Sequence, residues 1–168
     1  MKTLAIYPGS FNPFHIGHLN IVEKAERIFG KGNVIIAMGI NPDKMDVHKS
    51  EHFLLKNEQS KELSHKIGRE VIVYTDFLHQ VIDHYEELGY TVVIVKGLRN
   101  GHDLDYEVNQ MRFVNDFKKE VNVVYITCDK DFEHISSSAI RKLQSFSPGS
   151  GDKYLIWETL KVDTYHLM

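Results

Sequence analysis

The chain has 168 residues, of which 42% are hydrophobic and 26% are charged, and these values are ordinary for one globular domain that buries its own core. The formal net charge of −3 lacks the basic excess that a general nucleic-acid binder needs, so we expect no nucleic-acid partner. The single cysteine excludes an intrachain disulfide, and the absence of a signal peptide or of any apolar stretch near ~20 residues predicts a cytoplasmic protein with no membrane partner.

Short apolar runs alternate along the chain with apolar residues at helical spacing. This alternation predicts an α/β fold in a single domain, with a Rossmann-like doubly wound sheet of about five parallel strands. The domain is expected to span residues 1–145, and residues 146–168 form a C-terminal extension of the same domain, with a helix from residue 153. The predicted strands cover residues 4–7, 33–39, 70–74, 91–95 and 121–127, and the predicted helices cover residues 19–29, 50–66, 78–88, 103–117 and about 138–143.

Two of the predicted helices carry clear apolar stripes, which we expect to face the sheet. The stripe of the first helix is formed by Leu19, Val22, Ala25, Ile28 and Phe29. The stripe of the third helix is formed by Leu78, Val81, Ile82, Tyr85 and Leu88.

The turn after the first predicted strand combines structure-breaking residues with polar ones. Prolines and glycines interrupt residues 8–17, which indicates a strand, a tight turn and a helix. Unpaired N–H groups and the helix dipole at such a helix start favour an anion, usually a phosphate. Ser10, His15 and His18 lie in the same turn. The two histidines could instead form half of a metal site or lie on the surface.

Two further polar motifs follow predicted strands. Lys96 and Arg99 flank Gly97 after the fourth strand, where arginine could bind a phosphate through two hydrogen bonds and lysine as a point charge; a solvated turn is the alternative. Serines at 136–138 offer hydroxyls and free N–H groups to several phosphate oxygens, although one serine would suffice as a helix cap. Because the carboxyl ends of parallel strands meet at one edge of a sheet, we expect one active site there.

Other chemistry is disfavoured. The chain has neither a Gly-x-Gly-x-x-Gly motif after a strand nor a P-loop motif, which argues against redox dinucleotide binding and against a P-loop nucleotidase. His48 and His52 are spaced to share a helix face, but no third ligand is evident, so we expect a surface pair rather than a metal site. Cys128 has no adjoining cation or helix start that would stabilise a thiolate, so we do not expect a nucleophile.

Residues 9–18, Gly-Ser-Phe-Asn-Pro-Phe-His-Ile-Gly-His, resemble the leading motif of the nucleotidyltransferase superfamily that carries the (T/H)xGH loop. The preceding Tyr7-Pro8 resembles the bacterial phosphopantetheine adenylyltransferase branch of that superfamily. His15 departs from this branch, which usually has threonine there, and matches the nicotinamide- and nicotinate-mononucleotide adenylyltransferases.

Three later segments extend the resemblance. Lys-Gly-Leu-Arg at 96–99 resembles the Arg-Gly-Leu-Arg segment of the phosphopantetheine branch, with the charge kept but the two-pronged geometry of the first arginine lost. The acidic stretch at 103–107 resembles the stretch that follows it in that branch. Ile-Ser-Ser-Ser at 135–138 resembles the superfamily motif that holds the β- and γ-phosphates of ATP.

The resemblance implies transfer of AMP from ATP to the phosphate of a small acceptor, with release of pyrophosphate. It implies that His18 stabilises the α-phosphate in the transition state, that Ser10 orients the acceptor phosphate, and that Lys44 neutralises it. Lys96 joins Ser10 and Lys44 in binding the acceptor. Mg²⁺ is the implied cofactor, held mainly by ATP, and the hexamers of the branch imply a homo-oligomer. The implied ATP-binding residues are Gly9, Ser10, Phe11, His15, Gly17, His18, Gly97, Arg99, Glu107, Ser136, Ser137 and Ser138.

Three interpretations remain at this point. The leading one is an adenylyltransferase that acts on 4'-phosphopantetheine. The second is a nicotinamide- or nicotinate-mononucleotide adenylyltransferase, favoured by His15 and by the pair Ile140-Arg141 after the serines. The third is a non-catalytic nucleotide-binding protein of the same fold.

Overall fold

Five parallel strands form the central sheet in a computed structural model that describes residues 1–40 and 49–156. The strands are β1 (Lys2–Gly9), β2 (Val34–Gly39), β3 (Val71–Tyr74), β4 (Tyr90–Leu98) and β5 (Asn122–Thr127). The helices are α1 (Ile16–Phe29), α2 (Lys49–Ile67), α3 (Leu78–Glu87), α4 (Gly101–Phe117) and α5 (Ser137–Phe146). This alternation confirms the predicted single α/β domain.

The strand order β3-β2-β1-β4-β5 places β1 in the middle of the sheet. Ala5 of β1 lies beside Val34 of β2 on one side and beside Val93 of β4 on the other. The chain therefore builds outward from β1 to β3 and then returns to build β4 and β5 on the opposite side. Ligands in sheets of this kind bind beyond the carboxyl ends of the strands where the order reverses. Here that point lies between β1 and β4.

Both faces of the sheet are covered, as expected for parallel strands. Side chains alternate along β1, so Tyr7 packs into one core while Ile6 packs into the other. Ile140 of α5 belongs to the first core, which α1 and α2 also line. Met111 of α4 belongs to the second core, which α3 also lines. The helices thus lie on both sides of the sheet, which confirms the doubly wound arrangement.

The predicted apolar stripes were each wrong at one residue. Ile28 of α1 is 60% exposed, whereas Ile21 is buried in its place. Ile28 lies in the last turn of α1, which ends at Phe29. Leu88 is 61% exposed because it follows the last residue of α3 rather than belonging to the helix.

Two element boundaries differ from the prediction in ways that affect the site. α1 begins at Ile16, so His18 lies in its first turn. β4 continues to Leu98, so Lys96 and Gly97 lie within the strand and pair with β5 instead of following the strand in a turn. His18 therefore belongs to a helix, and Lys96 and Gly97 belong to a strand. Regular structure holds side chains more firmly than a loop does.

The C-terminal segment continues past α5 and packs against the rest of the domain. A short 3-10 helix covers Asp152–Tyr154, and the next residue, Leu155, is buried in the core that contains Phe14. The backbone of Leu155 forms an antiparallel bridge with that of His15. Most of the helix predicted from residue 153 falls outside the described residues. Among the helices that the structure describes, none is both long and apolar enough to cross a bilayer.

Candidate active site

The loop after β1 folds back over the end of its own strand. Phe11 adopts a positive φ of 47°, which is uncommon for a bulky residue, and its ring is buried against Tyr7 at 5.1 Å and Phe14 at 5.4 Å between centroids. A Cβ on Gly9 would lie 2.9 Å from the Phe11 ring, so this fold-back requires glycine there. Lys56 of α2 donates a hydrogen bond to the Ser10 carbonyl oxygen at 2.7 Å. The packing of one aromatic ring thus fixes the loop path.

His15 and His18 are held by the start of α1. The Nδ1 atom of His15 accepts a hydrogen bond from the Gly17 N–H at 3.0 Å and so caps the helix, while the backbone N–H of His15 donates to Nδ1 of His18 at 3.1 Å. Because both Nδ1 atoms accept, each neutral ring carries its proton on Nε2. Two of the backbone N–H groups expected to bind an anion are therefore engaged by imidazoles, and the two rings keep their Nε2–H groups as donors.

Both imidazoles are neutral at physiological pH. His15 is 4% exposed, and burial, with a smaller contribution from the Arg99 charge, lowers its pKa to about 3. The pKa of His18 is also lowered well below its usual value, chiefly by burial and further by His15 and Arg99. A neutral ring still donates from Nε2–H to a phosphate oxygen, although it carries no positive charge. The site therefore supplies hydrogen-bond donors rather than additional fixed charge at this position.

The two cations of β4 and its following turn are each paired with an acid of α4. Lys96 forms an ion pair with Glu107 at 3.0 Å, with the two side chains 14% and 23% exposed. Glu107 and Lys96 were expected to bind different substrates, and the ion pair couples them directly. A Cβ on Gly97 would lie 2.8 Å from Cγ1 of Ile21, so glycine is required for α1 to approach β4.

Arg99 is anchored by three hydrogen bonds to Asp103. Its backbone N–H and Nε donate to Oδ2 at 2.8 and 2.9 Å, and Nη2 donates to Oδ1 at 3.0 Å. Burial alone would raise the Asp103 pKa, but these bonds outweigh it and leave the pKa below its usual value. Asn100 caps α4 by accepting from the Asp103 N–H at 3.1 Å. The guanidinium is therefore oriented before any ligand arrives.

The serine run caps α5 and also ties this helix to the first loop. Ser136 Oγ accepts from the Ala139 N–H at 3.0 Å and lies 3.2 Å from Ser138 Oγ. Ser137 Oγ donates to the Pro13 carbonyl at 2.9 Å. Arg141 donates from Nη1 to the carbonyl oxygen of Asn12. The capping role considered as an alternative is therefore present, and it coexists with a position on the pocket wall.

These elements enclose a pocket of about 620 Å³ at the carboxyl ends of β1, β4 and β5. All the residues expected to bind ATP line it, as does Lys96. Lys44 lies outside the described residues, and so does His48. The pocket also contains residues that the sequence did not single out as site residues, and the most polar of them are Tyr7, Asp103, Tyr106, Gln110 and Arg141.

Some of these additional residues had a signal in the sequence. Asp103, Tyr106, Glu107 and Gln110 stand at positions i, i+3, i+4 and i+7, so one face of α4 brings all four to the pocket. Arg141 follows Ser137 by four residues and shares a face of α5 with it. Tyr7 contributed to the family resemblance, but the sequence assigned its side chain no role in the site, because an aromatic residue in a central strand is ordinary core.

The acids at this pocket are not arranged as a metal site. Asp103 and Glu107 are the carboxylates on its wall in the described part of the chain, and each is paired with a cation. No three histidine, cysteine or acidic side chains of residues 1–40 and 49–156 cluster closely enough to hold a metal ion. The donors of the site are instead imidazole, guanidinium, ammonium and hydroxyl groups, which suit an anionic ligand.

The sequence and the fold both match known nucleotidyltransferases. The model of the cytidylyltransferase-like family matches residues 6–143. Similar curated proteins named phosphopantetheine adenylyltransferase include one from Streptococcus pneumoniae (strain JJA), 33% identical over 85% of this chain and 84% of its own length. Another is from Mycoplasma capricolum, 34% identical over 85% of this chain and 97% of its own length. A third, from Porphyromonas gingivalis, is 33% identical over 90% of this chain and 93% of its own.

A solved structure shows the same fold. It is a protein of Vibrio parahaemolyticus named as a nicotinate-nucleotide adenylyltransferase, which superposes with a TM-score of 0.60 over 99% of this chain and 93% of its own, at 15% identity. The chain belongs to the cytidylyltransferase-like family and is a nucleotidyltransferase, most similar to the phosphopantetheine adenylyltransferases.

Proposed function

We propose that this nucleotidyltransferase moves AMP from ATP to the phosphate of 4'-phosphopantetheine and releases dephospho-CoA and pyrophosphate. The observation that carries this proposal is the convergence of donors from three strand ends in one pocket. Its volume of about 620 Å³ lies in the range of small-molecule sites. The relatives named phosphopantetheine adenylyltransferase support this choice of acceptor.

In the proposed reaction, an oxygen of the acceptor phosphate attacks the α-phosphorus of ATP. The bond from that phosphorus to the oxygen bridging to the β-phosphate breaks, and pyrophosphate leaves with the electron pair. No general base is needed, because the attacking phosphate is already ionised at neutral pH. The catalytic task is to position two anions and to stabilise the charge that develops between them.

The residues of the first loop are proposed to act on the α-phosphate. His18 donates from Nε2 to an oxygen of the pentacoordinate transition state, and His15, stacked on it, supports the same phosphate chain. Ser10 orients the acceptor phosphate, and Lys44 and Lys96 neutralise it. For Lys96 this requires the acceptor phosphate to share or replace its ion pair with Glu107. That exchange would couple acceptor binding to the position of α4.

The leaving pyrophosphate is proposed to be held on the opposite wall. Arg99, already oriented by Asp103, offers its remaining N–H groups to the β- and γ-phosphates, together with the three serines at the start of α5. Mg²⁺ is proposed to enter with ATP and to screen the charge of its phosphates, since both acids on the pocket wall are occupied by cations. The homo-oligomeric state and the cytoplasmic location stay predictions.

A second acceptor is favoured by specific residues. His15 and Arg141 match the mononucleotide adenylyltransferases, and both line the pocket. We therefore compare these acceptors in one experiment: the protein is incubated with ATP, Mg²⁺ and 4'-phosphopantetheine, nicotinate mononucleotide or nicotinamide mononucleotide in turn, and pyrophosphate release is followed. Release with 4'-phosphopantetheine alone supports the proposal, and release with a mononucleotide alone replaces it. Release with none of the three indicates a non-catalytic nucleotide-binding protein.

A further inference from the structure

Tyr7 is a buried residue on the wall of the pocket, and its hydroxyl has no assigned role. It lies near the end of β1, beside β4, at the point where the strand order reverses. Its side chain is 5% exposed and lines the pocket. Among residues 1–40 and 49–156, no group forms a hydrogen bond with its hydroxyl. A buried hydroxyl without a partner destabilises a fold, so a ligand is the expected source of the missing bond.

Packing fixes the position of this hydroxyl. The ring of Tyr7 meets that of Phe11 edge to face at 5.1 Å and that of His18 at 6.4 Å between centroids. A Cβ on Gly97 would lie 3.2 Å from the hydroxyl oxygen, so the hydroxyl rests against the glycine between the two cations of β4. The group cannot swing to a new partner without moving the aromatic cluster that shapes the first loop.

The surroundings of the hydroxyl make it a donor. Burial, the nearby Glu107 carboxylate and Cys128 together raise the Tyr7 pKa, so the phenol keeps its proton throughout the physiological range. Glu107 is the same acid that holds Lys96 at 3.0 Å. Gly97, against which the hydroxyl rests, directly follows Lys96 in β4, and Lys96 is the cation assigned to the acceptor.

We propose that the Tyr7 hydroxyl donates a hydrogen bond to a phosphate oxygen of the acceptor substrate and so selects and orients the nucleophile. This inference rests on the proposed function, because it needs a phosphorylated acceptor. A neutral donor is suited to this place, since Lys96 already supplies charge and the directional bond of a fixed phenol adds orientation. No other described residue places an uncommitted buried hydroxyl on this wall of the pocket.

The test is Tyr7→Phe, which removes only the hydroxyl, with Tyr74→Phe as its matched control. Tyr74 also ends a strand, its hydroxyl is packed against Gly39, burial raises its pKa to about 12, and it does not line the pocket. Steady-state pyrophosphate release gives KM for each substrate and kcat. Calorimetric titration with 4'-phosphopantetheine or nicotinate mononucleotide, whichever the wild type binds, measures acceptor affinity without turnover. Thermal unfolding reports on the fold.

For Tyr7→Phe we expect acceptor affinity to fall about 10-fold or more, as for the loss of one hydrogen bond to a charged group. We expect ATP affinity and the melting temperature to stay unchanged, and Tyr74→Phe to behave as wild type. Unchanged acceptor affinity, an equal loss of ATP affinity or a lowered melting temperature would overturn the proposal. If the wild type binds an acceptor but releases no pyrophosphate, the proposed function fails while the binding comparison still decides the role of Tyr7. Binding of neither acceptor overturns both.

Discussion

His15 and His18 stack with their ring centroids 3.6 Å apart, and the backbone N–H of His15 donates to the ring of His18. Each ring is thereby held in one tautomer and one orientation by the helix start itself. Arg99 contributes to the low pKa of both rings, so the triad of donors contains one permanent charge and two neutral groups. This arrangement can bind a polyphosphate without the mutual repulsion of three adjacent cations.

The first prediction concerns the donor nearest the reaction. His18→Ala should lower kcat by about 10²–10³-fold, as for removal of one donor aimed at developing charge, with little change in ATP affinity. Pyrophosphate release measures kcat, and calorimetry measures ATP binding. His65→Ala is the matched control, because His65 is exposed and lies outside the pocket. Near-normal turnover in the His18 variant would remove the role proposed for this residue.

The second prediction is a pH dependence of stability. The pKa of His15 is near 3 in the folded protein and about 6.5 when unfolded, so the unfolded state binds the extra proton between these values. The contribution of neutral His15 to the free energy of unfolding is fully present above pH 6.5 and is lost as the pH falls toward 3. Between pH 7.5 and pH 5.5, the titration of His15 should lower the free energy of unfolding by about 1 kcal/mol. The titration of His18 should lower it further.

Urea unfolding at a series of pH values tests this dependence. His15→Gln removes the titrating group while keeping a side chain that can accept from the Gly17 N–H, so its unfolding free energy should change less over the same range. His65→Gln, which changes an exposed histidine, should leave the dependence of the unfolding free energy on pH unchanged. Equal slopes for the wild type and His15→Gln would contradict a buried, neutral His15.

The third prediction separates activity from stability at Gly17. A Cβ there would lie 2.9 Å from Cε1 and 3.0 Å from Nδ1 of His15, so Gly17→Ala must displace the ring that caps α1. The lost cap, about 1 kcal/mol, is offset by a gain of similar size from alanine in a helix. We therefore expect kcat to fall at least 10-fold while the melting temperature changes little.

Gly101→Ala provides the control for this substitution. Gly101 also begins a helix, but nothing lies within 4 Å of the position of its Cβ, so alanine should fit there without cost and leave kcat as it is. Activity and thermal unfolding of both variants are compared with those of the wild type. If Gly17→Ala turns over normally, the exact placement of the His15 ring is not important for catalysis.

The first loop shows which parts of the site a sequence can predict. Prolines and glycines in residues 8–17 locate the turn, and His18 stands out because it follows Gly17. The sequence does not show that His15 caps the helix, since this depends on the rotamer of a ring. Arg141 shares a helix face with Ser137, but its bond to Asn12 joins positions 129 residues apart and cannot be derived from either segment alone. Contacts at that separation follow from the fold as a whole.

The fourth strand shows where local preference was misleading. Lysine and glycine have low strand preference, so Lys96 and Gly97 were expected in a turn. In the structure they pair with Tyr125 and Ile126 of β5, and this tertiary pairing extends β4 by three residues beyond the prediction. The overall fold was predictable because the alternation of apolar runs is strong. The ends of the strands were harder to predict, because pairing with neighbouring strands determines where a strand ends.

The last prediction concerns the C-terminal segment as a support for the catalytic loop. Leu155 is 7% exposed and packs in the core that contains Phe14, while its backbone bridges to His15. Leu155→Ala should destabilise the protein by about 2–4 kcal/mol through the cavity it leaves. Because this cavity lies under the loop, we also expect kcat to fall about 10-fold at 15 °C, where the variant remains folded.

Two measurements distinguish this support from a general contribution to the fold. Urea unfolding gives the loss of stability, and pyrophosphate release per folded molecule gives kcat. Ile82→Ala is the matched control, since Ile82 of α3 is fully buried in the other core, away from the loop. It should lose similar stability while keeping its kcat. If Leu155→Ala loses stability but keeps normal turnover, the bridge to His15 serves the fold alone. A fall in kcat confined to Leu155→Ala indicates that the segment after α5 holds the His15–His18 pair in its working position.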